Sequence, residues 1–120
     1  MKYFHGGAPG LKVGDLLRPA ISLGKEHGRS PNQPNYSPHR VYLTRARWYA
    51  DLFAHMGDGD VYEVRPVGRA VPDPDARGSF TCSCATVTAV LAQHPVELPE
   101  QARALRRGAL RRPGAVALGL

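Results

Sequence analysis

Three features of this 120-residue chain carry side chains suited to ligand chemistry. His5 ends a short run of extended character, Lys2 to His5, and enters Gly6-Gly7, two residues without side chains. A histidine at a strand end followed by two bare positions leaves room for a ligand to approach the backbone. Such a feature is unexpected near an N-terminus, where a structural chain commonly frays. Tyr42 lies mid-strand in Val41-Tyr42-Leu43-Thr44, and Asp73 and Asp75 lie in a Pro-Asp-Pro-Asp turn just after a strand. An imidazole, a phenol and a carboxylate delivered from three strand ends can converge on one cleft. Together they supply hydrogen bonding, a flat ring and a negative charge. Singly, a strand-end histidine is commonly a structural hydrogen-bonder and a strand tyrosine is commonly core.

The elements that must position these residues follow from patterning. Lys2 to His5 and Arg40 to Thr44 read as strands. Leu11 to Leu17 reads as a Lys-Val-Gly-Asp turn with a short extended piece. Trp48, Tyr49, Leu52, Phe53 and Met56 recur at helical spacing over about three turns, and Gly57-Asp58-Gly59 ends that helix. Asp60 to Val67 alternates Tyr62 and Val64 against Glu63 and Arg65, which predicts a strand that Pro66 interrupts. Arg69 to Ser79 is a turn region, and Phe80 to Gln93, rich in Thr, Val and Ala, predicts one long strand. Pro99 to Arg112 predicts a second helix. Leu98, Ala102, Leu105 and Ala109 form its apolar stripe, and Arg103, Arg106, Arg107 and Arg111 lie opposite. Arg18 to His39, broken by four prolines, reads as a loop over the site.

Strands outnumber helices without βαβ alternation, so the expected class is α+β with mostly antiparallel pairing. The 11 prolines and 13 glycines fit a loop-rich fold with short strands. Residues 1–112 are expected to form a single domain and 113–120 a frayed tail. No apolar run approaches the length of a membrane span. The start of the chain has no apolar stretch resembling a secretory signal, so the expected location is cytoplasmic. A net charge of +6 suits a polyanion or a phosphate-bearing ligand, although arginines spread along the chain more commonly serve solubility. Cys82 and Cys84 are the only cysteines and cannot complete a tetrahedral zinc site, so no metal is expected. On one strand they would face the same side as small thiols. Gly6-Gly7-Ala8-Pro9-Gly10 is not the dinucleotide pattern, and Pro9 removes an N–H that a phosphate loop would use.

Four ordered blocks carry a resemblance: Tyr3-Phe4-His5-Gly6, Leu11-Lys12-Val13-Gly14-Asp15-Leu16-Leu17-Arg18-Pro19, His39-Arg40-Val41-Tyr42-Leu43-Thr44, and Val61-Tyr62-Glu63-Val64-Arg65-Pro66-Val67-Gly68. In this order, followed by an Asp-Pro turn, they resemble the rifampin ADP-ribosyltransferase family over about residues 3 to 92. The block from Leu11 to Pro19 is the most specific. The family usually has Thr where this chain has Gly7, and the helix around Trp48 is about one turn shorter than the family's.

The resemblance implies an ADP-ribosyltransferase-like fold of split antiparallel sheets with a few short helices, binding NAD as co-substrate without a metal. It implies a catalytic set of His5, Tyr42 and Asp73, with Asp75 as the alternative carboxylate if the turn is registered differently. NAD-binding residues would be His5, Gly6, Gly7, Tyr42 and Thr44, with Arg18 or Arg40 holding the diphosphate. The carboxylate would stabilise oxocarbenium character as the nicotinamide–ribose bond breaks, and Tyr42 would stack on nicotinamide. His5 would hold a ribose hydroxyl, and Gly6 would let the backbone lie against the nicotinamide amide. The implied reaction moves ADP-ribose to an acceptor hydroxyl, with rifamycin the first acceptor suggested and residues 19 to 38 enclosing it. A nucleic-acid or protein acceptor remains open, and a monomer is expected. Two alternatives stand beside it: an NAD-consuming RNA 2′-phosphotransferase relative, and a non-enzymatic module binding nucleic acid through the Arg103–Arg112 helix.

Overall fold

The fold is described from a computed structural model, over residues 1–24, 35–100 and 103–104. The chain forms β1 (Tyr3–Gly7), β2 (Leu16–Leu17), a 3₁₀ turn (Ala20–Leu23), β3 (Val41–Thr44), α1 (Arg47–Met56), β4 (Asp60–Val67), β5 (Val71–Pro72), β6 (Ser79–Cys82) and β7 (Cys84–Ala92). The strands join in one sheet of order β2-β7-β4-β1-β3-β6-β5, and the pairings are antiparallel. The domain is therefore α+β, with one joined sheet where the resemblance implies split sheets, because β1 pairs with both β4 and β3. The rest of the Pro99–Arg112 segment and the tail lie outside the described residues; Glu100, Arg103 and Ala104 have helical backbone.

The sheet is weakest at its middle. β1 pairs with β4 along its whole length but with β3 only at Phe4↔Thr44. The principal core lies across that joint. It draws Leu17, Tyr62, Val64, Ala85 and Val87 from one half and Val41, Leu43 and Cys82 from the other. Full burial of such side chains contributes roughly 1.5–3 kcal/mol each, enough to fold the two halves together where few backbone bonds hold them.

Three predictions require correction. Pro66 does not interrupt β4, since Pro66 and Val67 still pair with Ala85 and Cys84 of β7. The turn region Arg69 to Ser79 contains the short strand β5, which pairs with β6. Phe80 to Gln93 is not one strand. The chain breaks at Ser83, so β6 pairs with β3 in one half and β7 with β4 in the other. The break also separates the cysteines: Cys82 is buried in the core, Cys84 opens the next strand, and both are free thiols. Burial pushes the Cys82 thiol up to about 11, which leaves it un-ionised and inert at neutral pH.

Helix α1 buries Tyr49, Ala50, Leu52 and Ala54. The alanines at positions 50 and 54 are small enough for β1 to approach the helix directly at Gly6. Gly59 lies against the Gly7 carbonyl in the same way, so three glycines allow helix, strand and return turn to meet backbone to backbone.

The loop after β1 is fixed by β4. Asp60 is 3% exposed; its Oδ2 accepts from the Gly10 N–H at 2.9 Å and its Oδ1 from the His94 N–H at 2.7 Å. The Tyr62 hydroxyl donates to the Ala8 carbonyl at 2.6 Å and accepts from the Leu11 N–H at 3.1 Å. Burial pushes the Asp60 carboxyl up, but these donors outweigh it and hold the group below the usual carboxylate range. The stability from Asp60 is thus fully present above a pH of about 3.9 and is lost as pH falls through the lowered value. Asp60→Ala strands two backbone donors and is expected to destabilise the domain by about 3 kcal/mol in urea unfolding. A loss below about 1 kcal/mol would show that water or a neighbour takes over both N–H groups.

Candidate active site

The cleft opens where β1 and β3 stop pairing. Past Phe4↔Thr44 the strands exchange no further ladder bonds. The His5 ring fills that gap: its Nδ1 lies 2.7 Å from the Tyr42 carbonyl. A carbonyl only accepts, so Nδ1 carries the proton, and Nε2 of the neutral ring is an acceptor. Burial pushes the His5 pKa down, against the carbonyl bond that raises it, which favours the neutral form.

Nε2 occupies the space where a side chain on Gly7 would begin. The ring has this room because residue 7 has no Cβ. The Gly7 departure therefore serves the histidine's placement. Gly6 also has a different reason from the one its sequence context suggests. Its missing side chain makes room for the Ala50 carbonyl and the Ala54 N–H of α1, while its backbone lines the cleft.

The opening is a cleft of about 460 Å³, within the ordinary range for small-molecule sites. It is lined by His5, Gly6, Gly7, Arg18, Tyr42, Thr44 and Asp73, so one cavity brings together the residues the resemblance implies, apart from the alternative carboxylate Asp75. Arg40 lines it too, its guanidinium held by Thr81: Nε donates to Oγ1 at 3.3 Å and Nη2 to the carbonyl at 3.1 Å. Arg18 and Arg40 give the cleft two cations, a setting that suits an anionic ligand. Thr44 is buried, and its Oγ1 accepts from the Ala46 N–H at 3.1 Å at the entrance to α1. An oxygen so engaged keeps its own hydrogen to donate.

Tyr42 stands with Tyr36 in an edge-to-face pair, ring centres 5.1 Å apart, and its hydroxyl accepts from the Ser37 N–H at 2.7 Å. Burial raises the phenol's pKa; the Ser37 bond opposes this, and the Asp73 charge adds to it. Asp73 is 8% exposed. Its carboxyl is pushed above the usual range by burial first, with the Asp75 N–H lowering it and the Asp75 charge raising it. Asp75 does not line the cleft: both of its oxygens accept from Asn35, at 3.0 and 2.8 Å. Of the two carboxylates, Asp73 is the one that lines the cleft.

Sequence reasoning did not pick out Tyr36, Tyr49 and Phe53, aromatic residues that also line the cleft. The latter two carry only a helical core signal, and Tyr36 lies alone in a proline-rich stretch. Among the described residues no three His, Cys, Asp or Glu side chains gather as a metal site, and no helix is long and apolar enough to cross a membrane.

No model of a known protein family matches this chain, and a search of curated proteins finds no match.

Proposed function

We propose that this protein is an NAD-dependent ADP-ribosyltransferase that moves ADP-ribose to an acceptor hydroxyl, a rifamycin-type small molecule first among the candidates, and releases nicotinamide. The observation that carries this reading is that His5, Tyr42 and Asp73 line one cleft, beside two arginines suited to a diphosphate. In outline the domain is also antiparallel α+β with a cleft at the sheet's weakest joint, which is compatible with an ADP-ribosyltransferase-like arrangement.

On this reading each residue has a role that the geometry supports. His5 Nε2 is fixed as an acceptor and so selects a donor, such as a ribose hydroxyl. Tyr42 presents a ring already braced by Tyr36, a surface on which a planar base can stack. Asp73 supplies negative charge in a poorly solvated place, where it stabilises an oxocarbenium-like centre more than it would in water. It can also take the proton of the incoming hydroxyl. Arg40, pinned by Thr81, is preorganised to meet phosphate oxygens.

Calorimetric titration with NAD tests the reading. One site per chain is expected, with binding weakened at least tenfold by Tyr42→Ala while far-ultraviolet circular dichroism is unchanged. Failure of the intact protein to bind NAD would overturn it.

The acid limb of turnover has a definite place. Asp73 must be ionised, and its pKa lies above the ordinary value of about 3.9; His5 must be neutral, and its pKa lies below about 6.5. Both protonations remove activity. Turnover is therefore expected to be lost in acid, with the limb lying above pH about 3.9, and the Tyr42 phenol adds no loss below its ordinary value of about 10, since burial raises it. A pH–rate profile of nicotinamide release checks this; turnover that stays level into acid below about pH 3.9 would exclude Asp73, and a limb centred above pH 7 would exclude His5 as its source.

A further inference from the structure

Asp75 is 3% exposed, yet its carboxylate is turned from the cleft and spent on one residue forty positions earlier in the chain. Oδ2 accepts from the Asn35 backbone N–H at 3.0 Å and Oδ1 from Asn35 Nδ2 at 2.8 Å. The Asp75 backbone in turn donates to Asp73 Oδ1 at 2.9 Å. On the other side, Asn35 opens the short segment that shapes Tyr42. The Tyr36 ring meets the Tyr42 ring, and the Ser37 N–H meets the Tyr42 hydroxyl. That segment is tied further along by the Pro38 carbonyl, which accepts from the Ile21 N–H at 3.0 Å.

A single path of hydrogen bonds thus runs from the Asp73 carboxylate through Asp75 and Asn35 to the segment that holds the Tyr42 phenol. We propose that Asp75 is a positioning residue, whose two-point clasp on Asn35 sets the Tyr42 ring and the Asp73 carboxylate at a fixed separation across the cleft. It touches no reacting atom. Two hydrogen bonds from one residue to the two oxygens of a carboxyl group fix an orientation as well as a distance. The catalytic part of this proposal rests on the transferase reading; the clasp itself does not.

Two measurements on Asp75→Ala, Asn35→Ala and the double variant separate these parts. Asn35 is exposed, so its replacement keeps the test available if loss of Asp75 impairs folding. The first measurement is amide hydrogen exchange at Ser37 by NMR, which requires no NAD. Exchange is expected to quicken about tenfold in Asp75→Ala, which removes both bonds, and less in Asn35→Ala, which keeps the backbone N–H bond; the double variant should be no faster than Asp75→Ala alone. Unchanged exchange at Ser37 would overturn the clasp. The second is nicotinamide release. A fall in kcat of about tenfold in Asp75→Ala and a smaller one in Asn35→Ala, with the double no worse than Asp75→Ala, is expected for lost positioning. If Asp75→Ala falls as far as Asp73→Asn while Asn35→Ala stays active, Asp75 is itself the reacting carboxylate and the proposal fails. A wild-type protein silent toward NAD would remove the transferase reading and with it the catalytic part, and the exchange experiment alone would then decide the clasp.

Discussion

Asp73→Asn is expected to lower nicotinamide release by about 10²–10³-fold without loss of the fold, the scale seen when one electrostatic partner of a charged transition state is removed. The substitution is nearly isosteric. It keeps an oxygen for the Asp75 N–H, now 2.9 Å from Oδ1, and removes only the charge. Its effect on stability has the opposite sign. Because the Asp73 carboxyl is raised in the folded protein, folding favours the protonated form, and the ionised group at neutral pH subtracts from stability. The neutral amide ends that cost, so Tm at pH 7 should hold or rise while activity collapses. Such a trade is expected where a site stores unfavourable burial of charge. Parallel Tm and kcat measurements read both; a variant that loses activity only by unfolding would remove Asp73 from the reaction.

The largest effect on the fold is expected from Gly6→Ala. Its new methyl would meet the Ala50 carbonyl oxygen and, at 2.8 Å, the Ala54 nitrogen, both backbone atoms of α1 that cannot swing aside. The helix must back away from β1, opening the packing around Ala50, Ala54 and Val61. A destabilisation of about 3 kcal/mol or more is expected in urea unfolding. Two neighbouring substitutions bracket the cause. Gly10→Ala meets nothing within 4 Å and strains only a φ of +87°, for about 1–2 kcal/mol. Gly7→Ala strikes the His5 ring rather than backbone. It should therefore spare most of the stability but displace the imidazole from the Tyr42 carbonyl and weaken NAD binding. Equal losses at positions 6 and 10 would mean that α1 yields easily.

Much of this arrangement is legible in the residues. The alternation from Asp60 to Val67 marks β4 with the bounds observed, and the stripe from Trp48 to Met56 marks α1 to within one residue. Both patterns are local and periodic, and burial of one face enforces them. Other features depend on partners far along the chain. Phe80 to Gln93 has unbroken β composition, and nothing in Cys82-Ser83-Cys84 announces that the chain changes halves there. The break follows from where β3 and β4 need partners. The spacing of Gly6 before Gly7 marks a place without side chains, but which neighbour uses that place, helix or ligand, is decided by Ala50 and Ala54. Asp73 and Asp75 are equivalent in sequence, each following a proline, and Asn35 distinguishes them by capturing one. The role of Asp60 and Tyr62 in fixing the loop from Ala8 to Leu11 was hidden because their alternation marks a strand, not what their polar ends reach. The arginines past Ala104 fall outside the described residues.

The most direct test of the central claim is nicotinamide release from NAD, followed by chromatography, for the wild-type protein and Asp73→Asn with a rifamycin or another hydroxyl acceptor present. Release by the wild type that depends on Asp73 is the predicted result. No release from the wild type with any acceptor, or release that Asp73→Asn leaves unchanged, would contradict it.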